Sequence, residues 1–447
     1  MQKHIGIIIY SGPEVKAFLY SGLTEKLVVK NKISIITKNP ESKSFAGIDP
    51  RIQILRAPEN YRSDYLKTFQ YRVSKFHSLM LQKKGFDKWR HYISKAVNNR
   101  ETSLKLFFQK IISIPLIVYF MSFIAIWVAR IIGTNSEWKQ IYQKNTITDI
   151  LASTYSNPEV LNALQTASNL NIRTHVATNS WKDVYVNARI PIKFDNLFVW
   201  KAEEKLFLQH VNPSYLSKNI HNVGSLHLNP FISQSLIIPK SEFFMKFNLN
   251  PHRHLITYTT ASPNAVLDEE SIIKDLINLL NRNNINPKPQ LLIRVNPMDT
   301  KERYKRFASS DVKIQIPDWE YQPQIDWNSS SKQDLIDWVN IVFYSDMNVS
   351  IASTVTLEFA TFNKPVINIC YDHRKDLDYN SSNIRFWDAP FYKEIREKKL
   401  ASPVHNINEL ENEIYKAINS NTSIKTPPWL SDDAAANIAR IISDETA

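Results

Sequence analysis

The stretch that most constrains the fold is Ser345–Asp372, which alternates between strand-like and helix-like patterns in fewer than thirty residues. Its two ends, Met347–Ile351 and Val366–Cys370, are short apolar runs typical of strands that are buried on both faces of a parallel sheet. A helix-length segment separates them, and parallel neighbours need such a crossover. The stretch therefore predicts a strand–helix–strand unit of a parallel α/β sheet.

The connecting segment predicts a short helix with an anion-binding start. Ser353 or Thr354 can cap a helix over Thr356–Phe362, and Asn363 followed by proline is a typical helix end. Helices that begin directly after a strand point free backbone N–H groups into the crevice at the sheet edge. Nucleotide phosphates often bind in such crevices, although an ordinary capped crossover has the same pattern.

The run S-T-x-x-x-E-x-A-x-x-x-K-P-V-I, which begins at Ser353, resembles the donor-binding element of GT-B glycosyltransferases. The resemblance implies that Ser353 and Thr354 contact the diphosphate of a nucleotide-sugar and that Glu358 contacts its ribose hydroxyls. Asn363 stands where the family usually has glycine. Glycerophosphate polymerases and non-hydrolysing sugar epimerases carry a similar pattern, so a polyol-phosphate transferase and a sugar-nucleotide epimerase remain alternatives.

Two further segments carry the resemblance. Arg294-Val295-Asn296-Pro297 is similar to the family's R-x-H-P, in which the arginine and histidine line the phosphate crevice; Arg294 matches and Asn296 replaces the histidine. Ser180-Trp181-Lys182-Asp183 is similar to the S-W-D-N of a group of bacterial GT-B enzymes. There the acid is displaced by one position, which leaves Asp183 as a second-choice catalytic base.

The first residues predict another sheet edge with polar groups. His4–Tyr10 is a buried-type strand, and Ser11-Gly12-Pro13 turns into a helix expected over Glu14–Lys30. Ser11 and Gly12 lie where such a sheet presents its ligands and form a candidate phosphate or acceptor loop. Glu14 directly follows this turn and is the first choice for the base that activates an acceptor hydroxyl.

Strand–helix alternation on both sides of residues 226–250 predicts two doubly wound α/β domains. The resemblance implies the fold class α/β, GT-B, in which two Rossmann-like doubly wound domains face a cleft. We expect an N-terminal acceptor domain over 1–230, a linker over 231–250 and a C-terminal donor-nucleotide domain over 251–430. Residues 431–447 are expected to form a helix that crosses back to the first domain, as the resemblance implies.

Residues 61–145 interrupt the N-terminal domain and predict a helical, basic and apolar insertion. Residues 61–110 hold twelve Lys/Arg against three Asp/Glu, so +9 of the net charge of +12 lies there, and Ile111–Ala129 has no charge. Basic and apolar surfaces side by side favour docking of 61–132 on an anionic membrane. A buried or oligomer-interface helix and a membrane span are the alternatives. The rest of the chain is nearly balanced, which argues against nucleic acid as a partner.

The single cysteine, Cys370, excludes an intramolecular disulfide and a cysteine-based zinc site, and fits a reducing compartment. The eleven histidines are scattered, so we expect no metal and no cofactor. Together with these observations, the resemblance implies a metal-independent glycosyltransferase, and we expect it to be bound peripherally at the cytoplasmic face of the cell membrane. It would move sugar from a nucleotide-sugar to a glycan or lipid-linked acceptor. A non-catalytic scaffold of a glycan-assembly complex is the alternative from a different class.

Overall fold

The computed structural model describes residues 2–58, 134–155, 157–186, 190, 192–212, 217–263, 265–282, 285–299, 302–379, 381–419 and 426–444. The chain forms two compact units. Apart from the residues not described, the first unit consists of Met1–Asn229, Glu320–Ser329 and Asp432–Ala447, and the second of Pro230–Trp319 and Ser330–Ser431.

The first unit is built on a seven-stranded sheet whose described neighbours are all parallel, in the order β3-β2-β1-β4-β5-β6-β7. Its strands are β1 His4–Ile9, β2 Lys32–Thr37, β3 Gln53–Arg56, β4 Asp149–Ala152, β5 Arg173–Ala177, β6 Asn196–Val199 and β7 Ile220–Asn222. All six residues of β1 are buried, as expected for a central strand covered on both faces.

Described helices of the first unit are α1 Gly12–Val15, α2 Leu23–Leu27, α3 Ser136–Lys144, α4 Pro158–Asn169, α5 Asp183–Val186 and α6 Ala202–Val211, with one π turn at Lys16–Tyr20 and 3-10 turns at Lys43–Phe45 and Ser217–Asn219. The continuous helix expected over Glu14–Lys30 is wrong. Gly22 has a φ of 82°, a left-handed conformation that ends the first helical stretch before α2 begins.

The second unit repeats the pattern with six parallel strands in the order β10-β9-β8-β13-β14-β15. The strands of this sheet are β8 Leu255–Thr259, β9 Gln290–Arg294, β10 Val312–Gln315, β13 Met347–Ser350, β14 Val366–Ile369 and β15 Ser402–Val404. Two further strands, β11 Trp319–Gln322 and β12 Trp327–Ser330, lie mostly in residues 320–329, which belong to the first unit. Strands β11 and β12 pair only with each other in the described residues.

The helices from the end of the first unit onward are α7 Asn229–Ile232, α8 Lys240–Lys246, α9 Glu269–Arg282, α10 Glu302–Lys305, α11 Lys332–Tyr344, α12 Val355–Ala360, α13 Ile384–Trp387, α14 Lys393–Glu397 and α15 Ile407–Asn419, with 3-10 turns at Pro323–Ile325, Pro390–Tyr392 and Pro428–Ser431. Helix α9 shows why these segments are helical. Its buried side chains, Ile272, Ile273, Leu276, Leu279 and Leu280, recur every three or four residues, which places them on one face against the sheet.

Both sheets place their strands in the order third, second, first, fourth, fifth, sixth, which is the strand order of the Rossmann fold. The predicted fold class, α/β with two Rossmann-like parallel-sheet domains, is therefore confirmed. In such sheets ligands bind at the carboxyl ends of the strands, where the strand order reverses. That point lies between β1 and β4 in the first unit and between β8 and β13 in the second.

Two segments join the first unit from elsewhere in the chain. Residues 320–329 belong to it although the chain on either side belongs to the second unit; there Trp327 packs with Phe45 in the core. The last helix, α16 Ala434–Asp444, adds Ala435 and Ile438 to the same core. Residues 231–250, expected to be a linker, contain the last two residues of α7 and all of α8 and lie in the second unit.

The membrane prediction falls on residues that lie outside the described ones. Of the insertion expected at 61–145, only its end is described, where Ser136–Lys144 forms α3. Within the described part of the chain, no helix combines the length and apolar character that a membrane crossing requires. Docking of 61–132 on an anionic membrane stays a prediction.

Candidate functional site

Glu358 lies in α12, close to the carboxyl end of β13. Its side chain is buried, and its Oε2 accepts a hydrogen bond of 2.8 Å from Nε1 of Trp338 on α11. Trp338 in turn lies against Arg294, whose guanidinium carbon is 5.4 Å from the centre of the indole ring. The structure thus brings two of the predicted donor-binding residues into contact with one tryptophan, Glu358 at the indole N–H and Arg294 over the ring.

Arg294 is the last residue of β9 and is buried. Its two terminal nitrogens form a bidentate pair with Asp334 of α11, both at 2.8 Å, and Nη1 also donates to Gln315. Asp334 accepts a further bond of 2.9 Å from Nε1 of Trp319. Two-point pairing of this kind fixes the plane of the guanidinium. Arg294 is therefore held rigidly at the strand end, with much of its donor capacity used inside the unit.

Asn296 lies two residues beyond β9 and ties two strand ends together. Its backbone N–H donates to the hydroxyl of Thr260, just after β8, at 2.8 Å, and its side-chain oxygen accepts from Met298 N at 3.0 Å. The second contact makes Asn296 the start of a local turn. The asparagine that replaces the motif's histidine thus shapes the loop at the sheet edge.

Ser353 and Thr354 begin the turn into α12, but neither caps that helix with its side chain as the sequence predicts. Thr354 has helical dihedrals and makes no side-chain cap hydrogen bond, whereas a capping hydroxyl normally accompanies an extended backbone. The turn is held by Tyr392, whose buried hydroxyl bonds to Thr356 at 2.6 Å and Asn368 at 2.7 Å. The helix ends at Ala360, two residues before the expected Phe362. Asn363, predicted as the helix stop, has a φ of 55°, the left-handed conformation typical of a residue just after a helix.

In the first unit, Glu14 joins the ends of β1 and β4, the two strands at the switch point. Its carboxylate accepts bonds from the backbone N–H groups of Tyr10 and Ser11, the latter at 2.8 Å, and from the Ser153 hydroxyl, also at 2.8 Å. Burial raises the pKa of Glu14 above its usual value, although these hydrogen bonds oppose the rise. A carboxylate of this kind has increased affinity for a proton, as a general base requires.

Gly12 has a packing reason to be glycine. A Cβ there would overlap the carbonyl oxygen of Asn328 and lie 2.7 Å from Cα of Ser329, in the segment that the first unit receives from 320–329. Only a residue without a side chain allows this approach. Gly12, which with Ser11 was predicted to form a phosphate or acceptor loop, thus lies against protein backbone on this side.

Asp183 lies after β5, in the first turn of α5, and is half-buried. Its Oδ2 accepts from Ser180 N at 3.0 Å, and burial raises the pKa of this carboxyl to about 6. No hydrogen bond in the described structure links Asp183 to Glu14; two strand spacings, about 10 Å, separate β1 from β5. The two candidate bases therefore belong to separate parts of the same sheet edge.

Sequence reasoning missed Glu204, which is fully buried in α6 after β6. Its Oε2 accepts from Trp200 N at 2.9 Å, while burial, with a contribution from the charge of Asp183, raises its pKa to about 8. The signal was present, because Glu204 follows Trp200 by four positions as Glu14 follows Tyr10. In both cases a carboxylate in the first helical turn binds back to the end of a buried strand.

The raised pKa of Glu204 predicts a pH-dependent stability. The folded state binds the Glu204 proton more tightly than the unfolded state does. The contribution of this proton to the free energy of unfolding is therefore complete below about pH 4.5 and is lost as the pH rises through about 8. Glutamine cannot ionise, so Glu204→Gln should gain stability relative to the wild type between pH 5 and pH 8. Urea unfolding at both values measures this. The adjacent Glu203→Gln, an exposed carboxylate, is the control; equal behaviour of the two variants would contradict the prediction.

Within the described residues, no three His, Cys, Asp or Glu side chains are grouped so as to hold a metal ion. No protein-family model and no curated protein sequence matches the chain. Solved structures do match it over almost their whole length.

Three of these structures show what the chain is similar to. UDP-GlcNAc 2-epimerase from Neisseria meningitidis, bound to UDP-GlcNAc, has a TM-score of 0.59 at 11% identity and covers 98% of this chain and 99% of its own. UDP-GlcNAc 2-epimerase from Methanocaldococcus jannaschii has a TM-score of 0.55 at 12% identity, and the match covers 98% of this chain and 99% of the epimerase chain. A glycosyltransferase from Rickettsia africae gives 0.50 at 10% identity, with 100% of both chains covered. The chain therefore has the GT-B-type fold of these proteins, with two Rossmann-like domains.

Proposed function

We propose that the chain is a nucleotide-sugar-dependent enzyme of the GT-B class that transfers a sugar to a glycan or lipid-linked acceptor. The observation that carries the proposal is that Glu358 and Arg294 both contact Trp338 at the carboxyl edge of the second-unit sheet. These are residues that the donor-binding motif implies, and the fold binds ligands at that edge. UDP-GlcNAc is bound in the Neisseria structure and is therefore the first donor to test.

The residues divide the chemistry between the two units. In the second, Glu358 would accept hydrogen bonds from the ribose hydroxyls, while strand-end donors and the guanidinium field offset the charge that develops on the leaving diphosphate. In the first, the Glu14 carboxylate would take the proton from the acceptor hydroxyl, because burial raises its affinity for a proton. No step of this scheme requires a cofactor.

Epimerisation of a nucleotide-sugar is the second candidate. It is favoured by the full-length similarity to two UDP-GlcNAc 2-epimerases, and the donor-binding motif is compatible with both reactions. Incubation with UDP-GlcNAc alone separates the candidates: an epimerase forms the 2-epimer without an acceptor, which proton NMR detects. A transferase releases UDP only when an acceptor is added. Binding without either reaction would favour a non-catalytic scaffold.

Glu358→Gln should weaken binding of UDP and UDP-GlcNAc about ten- to a hundredfold, the effect of one lost charge-assisted hydrogen bond. Glutamine is isosteric and retains an oxygen that can accept from Trp338, so the fold should survive. Isothermal titration calorimetry measures the affinity, and circular dichroism checks the fold.

Glu394→Gln is a matched control in the same unit, because Glu394 also accepts a hydrogen bond from a tryptophan, Trp429 Nε1, at 3.1 Å. It lies in α14, and the donor motif does not include it. Its affinity for UDP should stay at the wild-type level. A folded Glu358→Gln variant that binds UDP as well as Glu394→Gln would remove the donor-site assignment.

A further inference from the structure

The second unit contains a pocket of about 700 Å³ at the amino edge of its sheet. It lies between the segment before β8, the turn before β14, the end of α11 and the helix α8. The residues that line it are Gln234, Lys240, Phe244, Pro251, His252, Arg253, His254, Pro287, Phe343, Tyr344, Asp346, Thr361, Phe362, Asn363 and Lys364. We call it the basic pocket. Strand β8, five residues long, separates it by roughly 16 Å from the carboxyl edge where Thr260 lies.

Positive charge predominates in the basic pocket. Lys240, Arg253 and Lys364 line it together with His252 and His254, whereas Asp346 is its one acidic lining residue. Arg253 is already engaged by Asp311 at 2.8 Å, and His254 lies 3.4 Å from Asp346. In the described part of the chain, neither lysine has a carboxylate within ion-pair distance. The pocket therefore offers two ammonium groups that no salt bridge in the described residues engages.

Lys364 is partly buried in the turn that follows α12. Burial lowers the pKa of its ammonium group, and the charge of Asp346 only partly opposes this. Lys240 lies at the start of α8 with its Nζ 5.4 Å from the centre of the Phe244 ring. The partial desolvation of Lys364, which Asp346 offsets only in part, costs free energy that an anionic ligand would recover. Lys240 is exposed and can turn toward such a ligand.

Aromatic rings form the other walls. Phe343 and Phe362 meet nearly edge to face, with ring centres 5.2 Å apart, and Phe244 packs against Tyr344 at 6.1 Å. Interlocked rings of this kind keep a fixed geometry. The volume lies within the range of pockets that bind small organic molecules, about 300–1,000 Å³.

We propose that the basic pocket binds a small organic phosphate, with Lys240 and Lys364 at the phosphate oxygens and the aromatic walls against the organic part. A phosphate monoester carries about −1.5 to −2 charges at neutral pH, which matches the two ammonium groups. The pocket lies at the opposite edge from the donor site, so this ligand is distinct from the nucleotide-sugar. Its source is either a soluble metabolite or the headgroup of a phosphate-bearing lipid.

Labelling with pyridoxal 5′-phosphate tests the proposal on the unmodified protein. The aldehyde forms an imine with a nearby lysine, borohydride reduces the imine, and peptide mass spectrometry locates the label. Lys364 or Lys240 should be labelled at least about tenfold more than Lys332 and Lys398, two exposed lysines of the same unit. Inorganic phosphate should suppress the preference.

Pyridoxal without its phosphate is the matched control, because a lysine with a lowered pKa reacts faster with any aldehyde. Loss of the preference with pyridoxal supports phosphate binding. An equal preference with both reagents, or even labelling of all four lysines, would overturn the proposal and leave Lys364 as a charge that only neutralises the carbonyl end of α12. Competition by uridine 5′-monophosphate would indicate a soluble metabolite as the ligand, and competition by dihexanoyl phosphatidic acid would indicate a lipid headgroup. Failure of both compounds to compete would also overturn the proposal.

Discussion

Replacing Arg294 by alanine should destabilise the second unit by about 3–5 kcal/mol, the usual cost of leaving one partner of a buried ion pair alone. Arg294 and Asp334 are 8% and 1% exposed at their side chains and are joined by two bonds of 2.8 Å. After the substitution, Asp334 keeps the donors Trp319 Nε1 and Asp318 N but loses its charge partner. Urea unfolding followed by tryptophan fluorescence measures the change.

Arg374→Ala supplies the control, because Arg374 forms a similar two-point pair with Asp376 in the same unit but on the surface. Solvent screens such a pair, so its loss should change stability little. A second comparison is Arg294→Ala combined with Asp334→Asn. Removing the unpaired charge should restore part of the lost stability. Equal effects of Arg294→Ala and Arg374→Ala would show that the buried pair is not a structural requirement.

This result bears on function as well. The donor-binding motif implies that Arg294 contacts phosphate, whereas the structure shows it bonded to Asp334 and Gln315. Affinity for UDP, measured at a temperature where Arg294→Ala is still folded, separates the two roles. A drop in affinity without unfolding supports the phosphate contact.

Much of the fold was predictable because local patterns agree with the final packing. The helix over Glu269–Arg282 was expected with these bounds, since its apolar residues follow the helical period. The strand expected at His4–Tyr10 is observed at His4–Ile9. In such segments the residues that decide the structure are neighbours in the sequence.

What was missed depends on contacts between distant residues. The segment 320–329 joins the first unit through packing that no local pattern reveals, and Gly12 is explained only by the approach of Asn328. Trp338 and Asp334 lie on a helix whose sequence has no motif. The contacts of Trp338 with Glu358 and of Asp334 with Arg294 therefore could not be predicted before the fold was known. The missing side-chain cap at Thr354 has a similar explanation. The presence of a hydroxyl residue at a cap position determines neither the side-chain rotamer nor the backbone conformation that a cap requires.

Glu14→Gln should lower turnover about a hundredfold or more while affinity for the donor stays unchanged, if Glu14 is the general base. The structure makes this a clean substitution. The glutamine oxygen can accept from Tyr10 N and Ser11 N, and its NH₂ group can donate to the Ser153 hydroxyl, so each hydrogen bond of the glutamate has a replacement. The variant removes proton acceptance and keeps the loop.

Glu14→Ala separates catalysis from structure. It leaves the N–H groups of Tyr10 and Ser11 without their acceptor, and an unsatisfied buried donor costs about 1–3 kcal/mol. Alanine should therefore lower both stability and turnover, whereas glutamine lowers turnover alone. Steady-state kinetics with the substrate found for the wild type, together with urea unfolding, gives the two readouts.

Asp183→Asn completes the comparison, because Asp183 is the other candidate and its pKa, raised to about 6, also suits a base near neutral pH. An active Glu14→Gln with an inactive, folded Asp183→Asn would move the role to Asp183. If both variants keep full turnover, neither carboxylate takes the proton. The pKa of Glu204, about 8, reflects complete burial. Glu204→Gln is expected to change the pH dependence of stability and to leave turnover unchanged. That contrast distinguishes a carboxylate that reacts from one that only ties a strand end to the helix that follows.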